Sequence, residues 1–184
     1  MASHKSFRRL WWVSMLLVLG LPLLALAQQA PELVSAVIMV DPPPLSKEVW
    51  KDFAASLLPG FEGPDPATAR RSFVEQMFLP TDDADRRARI VKTMCAAPDD
   101  VAIATTKAMA AFDAAAVLRG CDVPVVVISS AVPTNGAAYL QEVNPAITLG
   151  QTVGAGHFLQ LEVPEQVNLM IERFLSISPG TAAR

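Results

Sequence analysis

Three short, uniformly apolar runs rich in β-branched residues punctuate the chain: LVSAVIMV (Leu33–Val40), VPVVVISS (Val123–Ser130) and AITLGQTV (Ala146–Val153). None alternates strictly between apolar and polar, so each predicts a strand covered on both faces rather than one facing water. Asp41 and Pro42–Pro44 end the first run, because proline cannot donate to a sheet ladder. Pro133 and Gly136 follow the second, and Gly150 interrupts the third. Beyond Pro164 the period changes. Val167, Met170, Ile171 and Phe174 recur at helical spacing on one face, and Glu162 and Glu165 sit near the positive end of that helix.

Between the first two runs lies a segment of different character. From Ser46 to about Ala111 it holds most of the charge, with helical spacing at Val49, Phe53 and Leu57 and again at Phe73 and Met77. PGFEGPDP and LPTDDADRR break it as loops. Asp82, Asp83 and Asp85 precede Arg86, Arg87 and Arg89, which predicts a solvated helix start with local charge pairing. The arginines would repel a cation there. Strands alternating with helices predict an α/β fold with a parallel sheet. The inserted helices would cover the strands' C-terminal ends, where open α/β sheets bind ligands.

Composition narrows the function classes. Of 184 residues, 52% are hydrophobic and 18% charged, enough apolar content for one folded domain and an accessory segment. A net charge of -3 and the lack of a basic, aromatic-interleaved stripe exclude nucleic acid as the expected partner. Cys95 and Cys121 are too few for a disulfide framework and lack metal-site spacing. They read as free buried thiols, or as one bridge if the chain is exported. No cofactor and no metal are expected. Residues 1–27 carry Lys5, Arg8 and Arg9, an apolar run and Ala25-Leu26-Ala27, the pattern of a signal peptide cleaved after Ala27 or of an apolar N-terminal helix. Export or membrane association is expected if that signal is genuine, and a cytoplasmic location otherwise. Membrane contact is expected through this segment alone.

One stretch carries chemistry: TVGAGHFLQLEVPEQV, Thr152–Val167, presents His157 on a glycine-flanked turn between strand and helix. Together with PELVSAVIMVDPP and CDVPVVVISS, it resembles the C-terminal half of the α/β-hydrolase superfamily, from about Leu23 to Leu175. The resemblance implies an incomplete α/β-hydrolase-type parallel sheet formed by residues 28–46 and 112–178. It also implies a helical cap at 47–111, leaving 179–184 as a tail. It implies, further, a Ser-His-acid site hydrolysing an ester, an amide or a related small apolar substrate, with His157 as general base. The family's acid has two known positions. The loop SAVPTNG after the second strand offers only Asn135, and Asp41 follows the first strand. A carboxylate fixes the histidine tautomer and stabilises the imidazolium, whereas an amide can only orient the ring. Asp41 is also explained as the residue that turns the chain into the prolines, His157 as a loop histidine bonded within its own turn, and Glu162 as a loop-fixing residue.

The family's G-x-S-x-G elbow should fall within SMLLVLG, Ser14–Gly20, yet Trp12 and Leu16 flank Ser14 where glycines belong. The expectation is therefore a truncated hydrolase with a degenerate site. The alternative is a non-catalytic binding or regulatory remnant. Without the family's earlier strands, the Leu33–Val40 edge would invite self-association or a strand-donating partner. Trp50, Phe53, Phe61 and Phe73 would either receive a small apolar substrate or simply pack the cap.

Overall fold

The computed structural model describes residues 23–178. A helix over residues 23–29 (α1) and a 3-10 turn at Pro31–Leu33 lead into β1 (Val37–Val40). Four helices follow: α2 (Lys47–Phe61), α3 (Pro66–Glu75), α4 (Ala84–Met94) and α5 (Asp99–Ala111). The chain then forms α6 (Ala114–Arg119), β2 (Val125–Ser129), α7 (Ala137–Val143) and β3 (Thr148–Gln151). It closes with α8 (Leu159–Glu162) and α9 (Pro164–Ile177). The strands form one parallel sheet in the order β1-β2-β3, with Val37 opposite Val125 and Val126 opposite Thr148.

The core follows from the two-residue period of a strand. Every residue of β2 is buried. Val125 and Val127 face one side, where Val37 and Met39 of β1 join Leu24, Ala27, Leu118 and Leu140 from α1, α6 and α7. Val126 and Ile128 face the other, against Val167 and Phe174 of α9, with Met170 and Ile171 packed beside them. The helical period read after Pro164 is therefore the face that covers the sheet. Three of the four inserted helices start on side-chain caps, as Ser46 accepts from the Val49 N–H at 3.3 Å, Asp65 from Thr68 at 3.1 Å and Asp83 from Arg86 at 2.7 Å, whereas α5 starts at Pro98 without one. Each such cap is worth about 1 kcal/mol.

Three expectations need correction. The first apolar run is extended only from Val37, since Pro31 opens a 3-10 turn that leaves Leu33 73% exposed. The third strand is a half-exposed edge strand at Thr148–Gln151 rather than a strand covered on both faces, because no further strand lies beyond it among the described residues. Asp82 is not a solvated charge. Its side chain is wholly buried and its Oδ1 accepts from Arg86 Nε at 2.9 Å.

Cys95 and Cys121 are both free, and burial pushes the Cys121 thiol up from its ordinary range. Among the described residues no helix is long and apolar enough to cross a membrane. The whole of the 179–184 tail lies outside the described residues, as does most of the predicted signal segment, with Ser14–Gly20. Its last turn does not. Leu24 and Ala27 are 0% and 1% exposed and complete the core under β1, so a cut after Ala27 would remove both from the domain. Leu24→Ala should lower unfolding stability by roughly 2–5 kcal/mol, read from a denaturant or thermal melt. A loss below about 0.5 kcal/mol, the usual effect of a surface change, would mean that α1 is not part of the core.

Candidate active site

Parallel strands send all their C-terminal ends to one edge of the sheet, and three chain segments converge there. Asp41 directly follows β1, Ser130 directly follows β2, and the Gly154–His157 turn follows β3. Asp41 is the residue that turns the chain into the prolines. Its φ of 40° lies in the left-handed region, which costs a side-chain-bearing residue about 1–2 kcal/mol. Aspartate tolerates that region better than most residues. The turn is held by the Asp41 N–H, which donates to the Ile128 carbonyl at 2.7 Å.

The same turn aims the carboxylate. Asp41 is 3% exposed, and its Oδ1 accepts from the Ser130 backbone N–H at 2.9 Å. Its Oδ2 lies 2.8 Å from His157 Nδ1. An ionised carboxylate can only accept, so Nδ1 carries a proton and the lone pair resides on Nε2. The two explanations offered for Asp41, chain turning and contact with the histidine, are thus one geometry.

The histidine is held from several sides. Gly154 adopts a φ of +70°, natural for glycine, and brings the chain round after β3. The Gly156 N–H donates to both carboxylate oxygens of Glu162, at 3.1 and 3.0 Å, so Glu162 fixes the loop. The His157 N–H donates to the Met77 carbonyl of the cap at 3.0 Å. A Cβ on Gly156 would stand 2.9 Å from that carbonyl oxygen, so the cap can approach the turn this closely only over glycine. Ring contacts complete the seat, with Phe158 5.2 Å from the imidazole and 5.0 Å from Phe78.

Asn135 takes no part in this contact. Its Oδ1 accepts from the Leu45 N–H at 2.9 Å, and its Nδ2 donates to the Pro42 and Pro43 carbonyls, each at 3.0 Å. It straps the proline segment that leaves Asp41, across more than ninety positions of sequence. Nothing local announces that partner, nor the roles of the Ser130 and Met77 backbone groups. Among the described residues no side chain hydrogen-bonds Nε2. The Ser130 hydroxyl donates instead to the Val132 carbonyl at 2.9 Å. No group of three or more His, Cys, Asp or Glu side chains able to hold a metal occurs among the described residues.

Asp41 and His157 open onto a cavity of about 740 Å³ between the strand ends and the cap. Its cap wall is aromatic. Trp50 stacks on Phe53 at 5.1 Å, Phe73 lies 5.8 Å from Phe53, and Phe61 lies 6.0 Å from Phe73. The four aromatics thus both pack the cap and face the cavity.

Asp41→Asn should shift the His157 ring toward the tautomer protonated on Nε2, read from its imidazole nitrogen shifts by NMR. Asn135→Ala should cost about 1–3 kcal/mol of stability through the orphaned Leu45 N–H, with those shifts unchanged. The reverse pattern would exchange the two assignments.

No protein-family model and no curated protein matches this sequence. Solved structures do. An enol-lactonase from Burkholderia xenovorans aligns with a TM-score of 0.65 at 20% identity, covering 85% of this chain and 62% of that one. A hydrolase from Oleispira antarctica aligns at 0.69 and 15% identity, covering 83% and 60%. A thermophilic esterase from Thermogutta terrifontis aligns at 0.65 and 19% identity, covering 85% and 61%. The chain therefore spans about three fifths of the length of these structures. At such identities the likeness is one of fold, and over that span the fold of this chain matches part of the α/β-hydrolase fold.

Proposed function

We propose that this chain carries the base-and-acid part of an acyl-hydrolysing site, with His157 as general base and Asp41 as the residue that orients and stabilises it. The observation that supports this reading is the 2.8 Å contact between Asp41 Oδ2 and His157 Nδ1 at the sheet's C-terminal edge, beside a cavity. With Nδ1 holding a proton for Asp41, Nε2 takes the proton of an attacking hydroxyl as its oxygen bonds to the acyl carbon. Asp41 stabilises the resulting imidazolium, which then delivers the proton to the departing alcohol or amine as the acyl bond breaks. Esters and lactones are the favoured substrates, in keeping with the esterase and lactonase names of the structural neighbours. The apolar cavity wall suits a small apolar acyl group.

A second reading is supported by a separate observation: no serine, threonine or cysteine side chain of the described residues hydrogen-bonds His157. On that reading the chain binds an apolar acyl compound under the cap without turning it over.

A fluorophosphonate probe separates the two, because it labels only an activated nucleophile. The catalytic reading expects labelling of the purified full chain and its loss in His157→Ala. It also expects a fall in aryl-ester hydrolysis of about 10²–10⁴-fold in that variant. No labelling of the full chain, or labelling and hydrolysis indifferent to His157→Ala, would sink the catalytic reading and leave the binding one.

A further inference from the structure

The cavity beside His157 offers no free cation to an anionic ligand. The titratable side chains of its lining are Asp41, His157 and Arg70. Asp41 is committed to the Ser130 N–H and to His157 Nδ1, so the strand-end side of the cavity already carries a buried carboxylate. Arg70 is committed on the cap side, where Nη2 lies 2.6 Å from Asp99 Oδ1 and Nη1 donates to the Ala97 carbonyl. A second carboxylate moved from water into such surroundings loses its hydration and gains no partner. An uncharged apolar group has no such cost to meet.

The same holds where the cavity meets solvent. A residue that lines it and is also exposed stands at its mouth, and those residues are Val49, Gln76, Thr93, Val101, Val132 and Thr134. None is charged. Val49, Val101 and Val132 are 54%, 50% and 71% exposed, and they come from α2, α5 and the loop after β2. One exposed valine is ordinary on a protein surface, but three from separate segments around one opening form an apolar rim. A ligand with an ionised head group calls for the opposite arrangement, a charged or donor-rich mouth above an apolar interior. Apolar surface therefore extends from the opening inward, past the Trp50, Phe53 and Phe73 wall.

We propose that the cavity selects its ligand by charge: it takes acyl compounds that are uncharged and apolar on both sides of the carbonyl, and turns away those carrying a carboxylate or another anionic group. The substrate class is then a neutral ester or lactone, apolar in its acyl part and in its alcohol part alike. This selection rests on the reading of the cavity as an acyl site, but it is measured by binding alone.

Two ketones that cannot be hydrolysed provide the test: (CH3)2CH(CH2)4CO(CH2)4CH3 and the keto acid HO2C(CH2)4CO(CH2)4CH3, which is ionised at neutral pH. They share a skeleton, with a ketone where the ester carbonyl would be, and differ by a terminal isopropyl group against a terminal carboxylate. With the full chain at neutral pH, calorimetry should give the isopropyl ketone about tenfold tighter binding or more. Val49→Lys, Val101→Lys and Val132→Lys each place a cation at the mouth, at positions exposed enough to leave the fold intact. At least one of the three should bind the keto acid about threefold more tightly than the unaltered chain does, the gain of an exposed ion pair. Equal or tighter binding of the keto acid by the unaltered chain, or no binding of either ketone, overturns the selection by charge. Keto acid affinity unmoved in all three variants overturns the assignment of the valines to the mouth. None of these outcomes depends on a nucleophile, so failure here and failure of fluorophosphonate labelling are separate results.

Discussion

One buried carboxylate holds the C-terminal edge of the sheet together. Asp41 reaches the backbone of Ser130 with one oxygen and the imidazole of His157 with the other, joining the ends of all three strands. Its own backbone would rather not be there, at a φ of 40°, and two forces keep it in place. On the sheet side the Asp41 N–H continues the β1–β2 ladder to Ile128, and on the loop side Asn135 grips the prolines that follow. A residue in the left-handed region persists only where its surroundings over-determine it. Here they do, and the strain is local to the one side chain that aims the histidine.

That aim depends on register. In the parallel sheet Val40 stands opposite Ile128, and Ser129 opposite Gln151, so the chain leaves each strand within a residue or so of the same level. A slip of one residue in β1 would turn Val37 and Met39 out of one core and Val40 away from the other, and would also carry the carboxylate away from Ser130. The hydrophobic pattern of three short strands therefore specifies the site as well as the core.

Much of this is written locally in the sequence, and the illegible parts share a physical cause. The α9 face, the fully covered β2 and the glycine-flanked His157 turn all rest on short-range periodicity or on backbone freedom, which single segments display. The distinction between Asp41 and Asn135 does not. Both are polar residues after apolar strands, and only the fold decides that the amide meets backbone groups of the proline segment and of Leu45 while the carboxylate meets the ring. Burial of Asp82 beside Arg86, and of Leu24 and Ala27 under β1, is hidden for the same reason. An Ala-Leu-Ala triplet after an apolar run fits a processing site and a packed helix equally well by composition. Burial of its residues is set by packing, and packing is a property of residues far apart in the chain. The trimming of the first strand at Val37 was legible in principle, since Pro31 favours the start of a helical turn, but the apolar run from Leu33 outweighed it.

The inserted helices and the strand-end site are not independent bodies. The His157 N–H is held by a cap carbonyl, Phe158 packs on Phe78, Arg87 lies over the Phe78 ring, and Arg86 reaches toward the Leu161 carbonyl. Gly156 has no room for a side chain because the cap sits on it. Met77 therefore serves two purposes, lining the cavity and carrying the carbonyl that fixes the histidine backbone. The Phe73–Met77 wall is thus part of the same short segment that seats His157. The Met77 peptide group thus joins the wall of the cavity to the turn that carries His157.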